Sequence, residues 1–477
     1  MRRARRLQEW SHLNAIASLR PDDPSRRQNA RMQDSLGNPV SLSDGASLAA
    51  VNDFVEGFVA CEARAADVLA AAQDEDSPLV QAYCATLHLF AESGDAVANA
   101  RPFLARAQAL AARGTEREQR YIAAIAAWAD GDTALAVQLH QAMARDFPRD
   151  LAAIKLGQYH CFNRGDCTGM LRLALRALEA AAEVPYAHGM AAFGYEQCHL
   201  LPEAEASARR AIALRRKEPW AHHALGHVML TQGRLQEGLD CLLDLSDTWV
   251  GLNSFMVTHN WWHVALFLID LGHGDKALAV YDQHAWGVEK AYSQDQIGAV
   301  SLLARLELAG TDVGARWGDV ASHLARRLDD HVLPFLDLQY LYGLARAGAP
   351  QADAMQRGIE AFARQAPPAT RGAWQHVAVP AAQGMLAHAR GDMGAALAGL
   401  GAALPRLLEI GGSHAQRDLF EQLYLDALVR AGTPASLRQA QDALQQQLNG
   451  QPESVRLRRQ ARQVYAALGL PAALAGR

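Results

Sequence analysis

Two pairs of histidines, each four residues apart, lie close together in this chain: His223 with His227, and His259 with His263. On a helix that spacing puts both imidazoles of a pair on one face, one turn apart. Such a set supports three kinds of chemistry. Imidazole nitrogens ligate zinc, which asks for three or four ligands at about 2.0–2.1 Å. A histidine titrating near neutrality serves as a general base. The rings can also form a hydrogen-bonded seam with no ligand at all, with Asn260 as a partner. H-x-x-x-H here lacks the acid of H-E-x-x-H, and four neutral ligands leave a dication uncompensated. Metal therefore ranks behind a peptide or small polar ligand, and any zinc site is expected to be weak; no other cofactor is expected. Glu196, Asp295 and Asp337 can each supply a carboxylate, though spacing alone does not bring them close. Trp261 and Trp262 are adjacent and cannot share a face, so they read as packing residues.

A second motif, Gly411-Gly412-Ser413-His414-Ala415-Gln416-Arg417, has the form of a helix junction. The glycines end one helix, and Ser413 with Gln416 makes a capping box for the next. The new N-terminus, with His414 and Arg417 beside it, is also a candidate anion site. There is no Walker loop, no G-x-S-x-G elbow and no dinucleotide fingerprint.

Long helices must position these groups. The chain has 477 residues, half of them apolar and 20% charged, and its abundant alanine leans the composition to helix. That length exceeds one compact core, so several domains or a repeat array are expected. A net charge of −5 gives no electrostatic reason to expect nucleic acid. No uninterrupted apolar run approaches a membrane span, and the basic start Met1-Arg2-Arg3 is followed by no apolar export segment. The six cysteines show no C-x-x-C pair and read as reduced thiols of a cytoplasmic protein. Residues 1–45 read as an irregular basic arm, and 46–477 as a continuous helical array with the histidine-rich stretch 220–263 at its centre.

Self-comparison gives the array its period. Ala192, Tyr195, His199, Ala204 and Ala211 align with Gly226, Met229, Gly233, Gly238 and Leu245 at a separation of 34 (226 − 192 = 34). That is the tetratricopeptide period. Ala124, Gly131, Ala136 and Pro148 fit the same template, as do Gly384, Gly391 and Ala396. Ala265, Gly272 and Ala277 continue it after an insertion at Asp247 to Asn253. The fold expected is all-α: a right-handed α-solenoid of tetratricopeptide-like helix pairs, each burying its face on its neighbours. The first helix of each pair lines the concave groove. Both histidine pairs fall on first helices of consecutive repeats, so they should face one another.

Three motifs, in order, resemble the tetratricopeptide repeat protein 38 family. W-A-x-H-A-x-x-H-V is Trp220 to Val228, H-N-x-W-H is His259 to His263, and G-G-S-x-A-Q-R-D is Gly411 to Asp418. A D-x-x-G-x-P opening at Asp34 to Pro39 extends the likeness from about residue 34 to the C-terminus. The chain departs from the family pattern at Gln158-Tyr159, where a His-Asp pair is usual, at Leu230, where an acid is usual, and at Gln339, where a histidine is usual. The resemblance implies a helical-repeat protein without a defined activity. The reading that results is a binding protein, with a groove formed by His223, His227, His259, Asn260, His263, Glu196, Asp295, Asp337, His414 and Arg417. A hydrolase or lyase using the histidine cluster, with or without metal, is the alternative. An enclosed pocket rather than an open groove favours that alternative.

Overall fold

The structure, a computed structural model, describes residues 32–42, 45–73 and 76–470. Among these residues there is no strand, only two isolated bridges, and the architecture is a run of antiparallel helix pairs. An opening helix α1 (Leu48–Val59) leads into α2 (Pro78–Leu89) with α3 (Ala96–Leu110), and α4 (Glu116–Ala129) with α5 (Thr133–Asp146). The next three pairs are α6 (Leu151–Asn163) with α7 (Cys167–Ala180), α8 (Pro185–Gln197) with α9 (Leu201–Leu214), and α10 (Pro219–Thr231) with α11 (Leu235–Leu245). Then come α12 (Ser254–Asp270) with α13 (Gly274–Val280), α14 (Ser293–Leu308) with α15 (Arg316–Leu324), and α16 (Pro334–Arg346) with α17 (Gln351–Gln365). The last pairs are α18 (Val379–Arg390) with α19 (Met393–Ala403), and α20 (His414–Ala431) with α21 (Pro434–Gly450), followed by α22 (Val455–Ala467).

Local chemistry sets these boundaries. Asp132, Asp150 and Asp166 each cap a helix by accepting from the backbone N–H three residues on, and Thr115 with Glu118 forms a complete capping box. Proline opens α2, α8, α10, α16 and α21, where its missing N–H costs nothing. The 34-residue period is exact over the first helices α6, α8 and α10 (185 − 151 = 34; 219 − 185 = 34). The insertion after α11 becomes a 3₁₀ turn, Ser246–Trp249, ahead of a longer α12. First helices pack on first helices along the array, and each also packs on its own partner. The result is a tetratricopeptide-like α-solenoid.

Two findings depart from the sequence reading. Residues 1–31 of the expected arm lie outside the described residues, but 32–42 are packed: Leu36, Val40 and Leu42 are buried in the first core. Arg117 holds this segment by donating to the carbonyl of Pro39 (2.9 Å). Secondly, one window, Met393–Ile410, does have the length and apolar content of a membrane span. Here it is α19 plus a 3₁₀ turn, packed between α18 and α20.

The array also curls until its late helices meet its early ones. Tyr292 donates to the carbonyl of Phe90 (3.2 Å), and Gln294 donates to Glu92 (2.5 Å). α20 packs on α14, and α22 is tied to α12 by Ser454 and Arg456, which both donate to Asp270 (2.9 and 2.7 Å). The concave face is therefore covered, where an open groove was expected.

Candidate functional site

α10 and α12 bring the two histidine pairs together, with a small residue at their crossing. A Cβ on Gly226 would lie in ordinary contact with the Cβ of His263 (3.8 Å) and tight against Leu242 of α11 (3.3 Å), so a small residue suits this crossing. Glu218 caps α10 through the N–H of Ala221 (2.5 Å), and Asn253 caps α12 through that of Met256 (2.9 Å). These caps fix where each helix starts, and hence where the imidazoles point.

All four histidines are buried, with exposures of 2% for His223, 1% for His227, 7% for His259 and 0% for His263. The Nε2 of His223 lies 3.0 Å from the Nε2 of His227 and 3.1 Å from the Nε2 of His259. The ring of His263 completes the cluster, 4.6–5.0 Å from the other three centroid to centroid. One ligating atom from each residue falls within 4.8 Å of all the others. Neither ring nitrogen of His263 has a hydrogen-bond partner, nor does Nδ1 of His223. Burial, and then the neighbouring imidazoles, hold His223 and His263 well below the ordinary range and His259 at about 3. His223, His259 and His263 are thus neutral rings at physiological pH.

Glu196, from α8, faces His227: its Oε1 lies 3.2 Å from Nδ1. Burial raises this carboxyl, but the charge and hydrogen bond of His227, with His414 behind, outweigh it and leave it lowered. His414 approaches from α20 and bonds through Nε2 to the carbonyl of Gln197 (3.3 Å). The second sequence motif therefore docks beside the first. Its helix N-terminus is closed by its own capping box, Gln416 N–H to Ser413 and Ser413 N–H to Gln416. Arg417 donates to the carbonyl of Gly412 and to Nδ1 of His414 (3.4 Å).

The other sequence candidates lie apart. Asp295 accepts from Thr258 and from the N–H of Glu289, both at 3.2 Å, and Asp337 pairs with His331 at 2.6 Å. Neither bonds any of the four histidines. Asn260 is fully buried with neither amide atom partnered. Trp262 stacks flat on His259, while Trp261 packs on Trp249 and His284.

On the cluster's open side lies a chamber of about 440 Å³. α6, α8, α10 and α12 form its walls, and the 57–66 segment, the 90–92 turn, the Tyr292 loop and the start of α20 close it. Phe58, Phe90, Phe162, Phe193, Trp220 and Phe255 make the lining apolar and rich in aromatic rings. Of the four histidines only His223 and His259 reach it. Sequence reasoning missed most of this lining. Lys155 is the chief omission: its ammonium donates to the carbonyls of Phe58 and Val59 (both 2.9 Å) and to Sγ of Cys61 (3.2 Å). It also lies 4.8 Å from the centre of the Trp220 ring, and burial lowers its pKa. The departures at Gln158 and Tyr159 were the available signal. Both line the chamber, Gln158 donating to the carbonyls of Met170 and Met190 and Tyr159 to Glu92.

No family model matches the chain. Among solved structures it is similar to Naa15/Naa10 bound to HypK-THB, at 13% identity and a TM-score of 0.24. That match covers 74% of this chain and 61% of the other, so the chain spans less than two thirds of its neighbour's length. The repeat fold stands on the helix pairing of the chain itself.

Proposed function

We propose that this is a helical-repeat binding protein that holds one small molecule, mainly apolar and carrying a polar group, in the chamber on its concave side. We also read it as a divergent, cytoplasmic member of the tetratricopeptide repeat protein 38 family, on the three motifs quoted above. The observation that carries the binding reading is the chamber itself, about 440 Å³ and aromatic-walled, with His223 and His259 on one wall. That volume suits a drug-sized molecule rather than a folded partner or a long peptide. Aromatic walls supply apolar contact, and a few fixed polar groups set orientation.

The test uses an apolar fluorescent probe, anilinonaphthalene sulfonate, with energy transfer from the chamber tryptophan Trp220 as the readout. The expected result is saturable binding of one probe per chain, abolished by Ala66→Trp, which plugs the chamber from an exposed position on its rim. Absence of saturable binding, or equal binding by Ala66→Trp, would refute the reading.

A second reading, a hydrolase or lyase, is favoured by the enclosure. Neutral imidazoles of His223 and His259 share the chamber with Glu62 and Glu92, a pairing of base and carboxylate that an open scaffold groove lacks. Turnover of an ester or amide panel, lost in His259→Gln, would place this reading first.

A further inference from the structure

The four histidines crowd their ring nitrogens around one point. Oε1 of Glu196 lies 3.2 Å from Nδ1 of His227, so the Nε2 of His227 is turned to the other imidazoles. The Nε2 of His223 faces both that atom and the Nε2 of His259, at 3.0 and 3.1 Å. A single proton or lone pair on the Nε2 of His223 cannot serve both contacts well. His263 is buried beside them with no partner on either nitrogen, at a cost of about 1–3 kcal/mol for each such group.

A cation at the common focus removes the conflict, because lone pairs can then all point inward. We infer that His223, His227, His259 and His263 together ligate one divalent ion of the zinc class, with Glu196 as the outer carboxylate that orients His227. Tetrahedral zinc with bonds of about 2.0–2.1 Å puts its ligand atoms about 3.3–3.4 Å apart. Two pair distances in the cluster, 3.0 and 3.1 Å, already lie near that value. The widest separation allowed by the cluster, 4.8 Å, closes by rotation of the imidazoles. All-imidazole donors suit zinc and its late first-row neighbours rather than magnesium or calcium. Glu196 supplies the carboxylate–histidine–metal relay common at such sites and returns negative charge to it. The buried guanidinium of Arg305, 5.3 Å from the Trp262 ring, works against the ion and limits its affinity. The site does not depend on what fills the chamber, so failure of either proposal leaves the other standing.

The test is made on the full chain without a histidine tag, stripped by a chelator. Zinc alone is titrated by calorimetry, and cobalt(II) serves as an optical probe of coordination. The expected result is one zinc per chain and an intense, tetrahedral-type cobalt spectrum. His227→Gln and His263→Gln should each weaken binding at least tenfold. Glu196→Gln should weaken it about 10–100-fold, the range for loss of an outer-sphere partner. His284→Gln, an imidazole stacked on Trp261 outside the cluster, should change nothing. No stoichiometric binding, an octahedral cobalt spectrum, or affinity unchanged in His263→Gln would each overturn the inference. The wild-type spectrum decides the matter even where a variant fails to fold.

Discussion

Gly238→Ala tests the packing that brings α12, and so the histidine cluster, against α11. A Cβ at Gly238 would stand 2.3 Å from Cζ and 2.4 Å from Cε1 of Phe267, well inside van der Waals contact. Phe267 is fully buried and lies one turn beyond His263 on the same face, so its ring has no free direction in which to yield. Overpacking of this kind costs roughly 1–3 kcal/mol. Replacing a helical glycine by alanine returns about 0.5–1 kcal/mol through the unfolded state and helix propensity. The net expectation is a loss of about 1–2 kcal/mol. Gly298→Ala, in α14, is the internal control, since nothing lies within 4 Å of its would-be Cβ. There only the propensity gain operates, so that variant should be stabilised by about 0.5–1 kcal/mol. Urea unfolding followed by circular dichroism, comparing the first transition, reads both. The same chemical change should shift stability in opposite directions at the two sites. If Gly238→Ala is as stable as Gly298→Ala, the repeat register and the close approach of α11 to α12 are wrong.

Two further predictions concern the first half of the array. Arg117 and Asp150 pair at 2.6 Å with exposures of 2% and 3%. Asp150→Asn keeps the α6 cap yet strands the guanidinium, at a cost of about 3–5 kcal/mol in denaturant unfolding, and a cost below about 1 kcal/mol would contradict the burial. His140 is buried, unbonded at both nitrogens, and pushed down to about 4 by burial. Below its ordinary value of 6.5 the unfolded chain takes up a proton that the folded chain refuses, so this residue removes stability as pH falls. His140→Met lacks that penalty, and its stability relative to wild type should rise by roughly 2 kcal/mol between pH 7 and pH 5. A pH-independent difference would show that His140 is solvated or partnered.

What the sequence made legible was local. The 34-residue spacing of Ala204 and Gly238, or Ala192 and Gly226, is visible because each hairpin needs a small residue at the same crossing, and Gly226 and Gly238 lie at close helix contacts. The Thr115–Glu118 and Ser413–Gln416 capping boxes were equally legible, since both partners lie within one turn. The meeting of His223 with His259 followed from the period, because one repeat's first helix packs on the next. Contacts that the period does not carry were invisible. Nothing near Tyr292 announces that it donates to the carbonyl of Phe90, some 202 residues earlier. Nothing distinguishes Glu196, which meets the cluster, from Asp295 and Asp337, which do not. With Leu230 where an acid is usual, sequence offered three carboxylates and no way to choose among them, and it is α8 that delivers Glu196 to His227.

The closure of the array explains why polar residues cluster where a solenoid would ordinarily meet solvent. Covering a concave face removes water from every polar group on it, and each then needs a partner. Glu92 shows how one seam meets that demand. It is buried, takes an uncommon positive φ of 49°, and accepts from Tyr159 (2.7 Å), Gln294 (2.5 Å) and Ser293 (3.3 Å). Three donors, one from α6 and two from the first two residues of α14, thus converge on one carboxylate. Left-handed backbone at a residue other than glycine costs about 1–3 kcal/mol and persists only where its surroundings fix it. Here the fixing contacts are the ones that shut the chamber. At and behind the opposite wall the same demand falls on Nδ1 of His223 and on both ring nitrogens of His263, and there no protein group meets it. The Glu92 seam is fully paired, whereas Nδ1 of His223 and both ring nitrogens of His263 stay bare close to the aromatic-lined chamber. Four imidazoles with ligand atoms within 4.8 Å of one another, rather than bare nitrogens alone, are what the zinc proposal rests on.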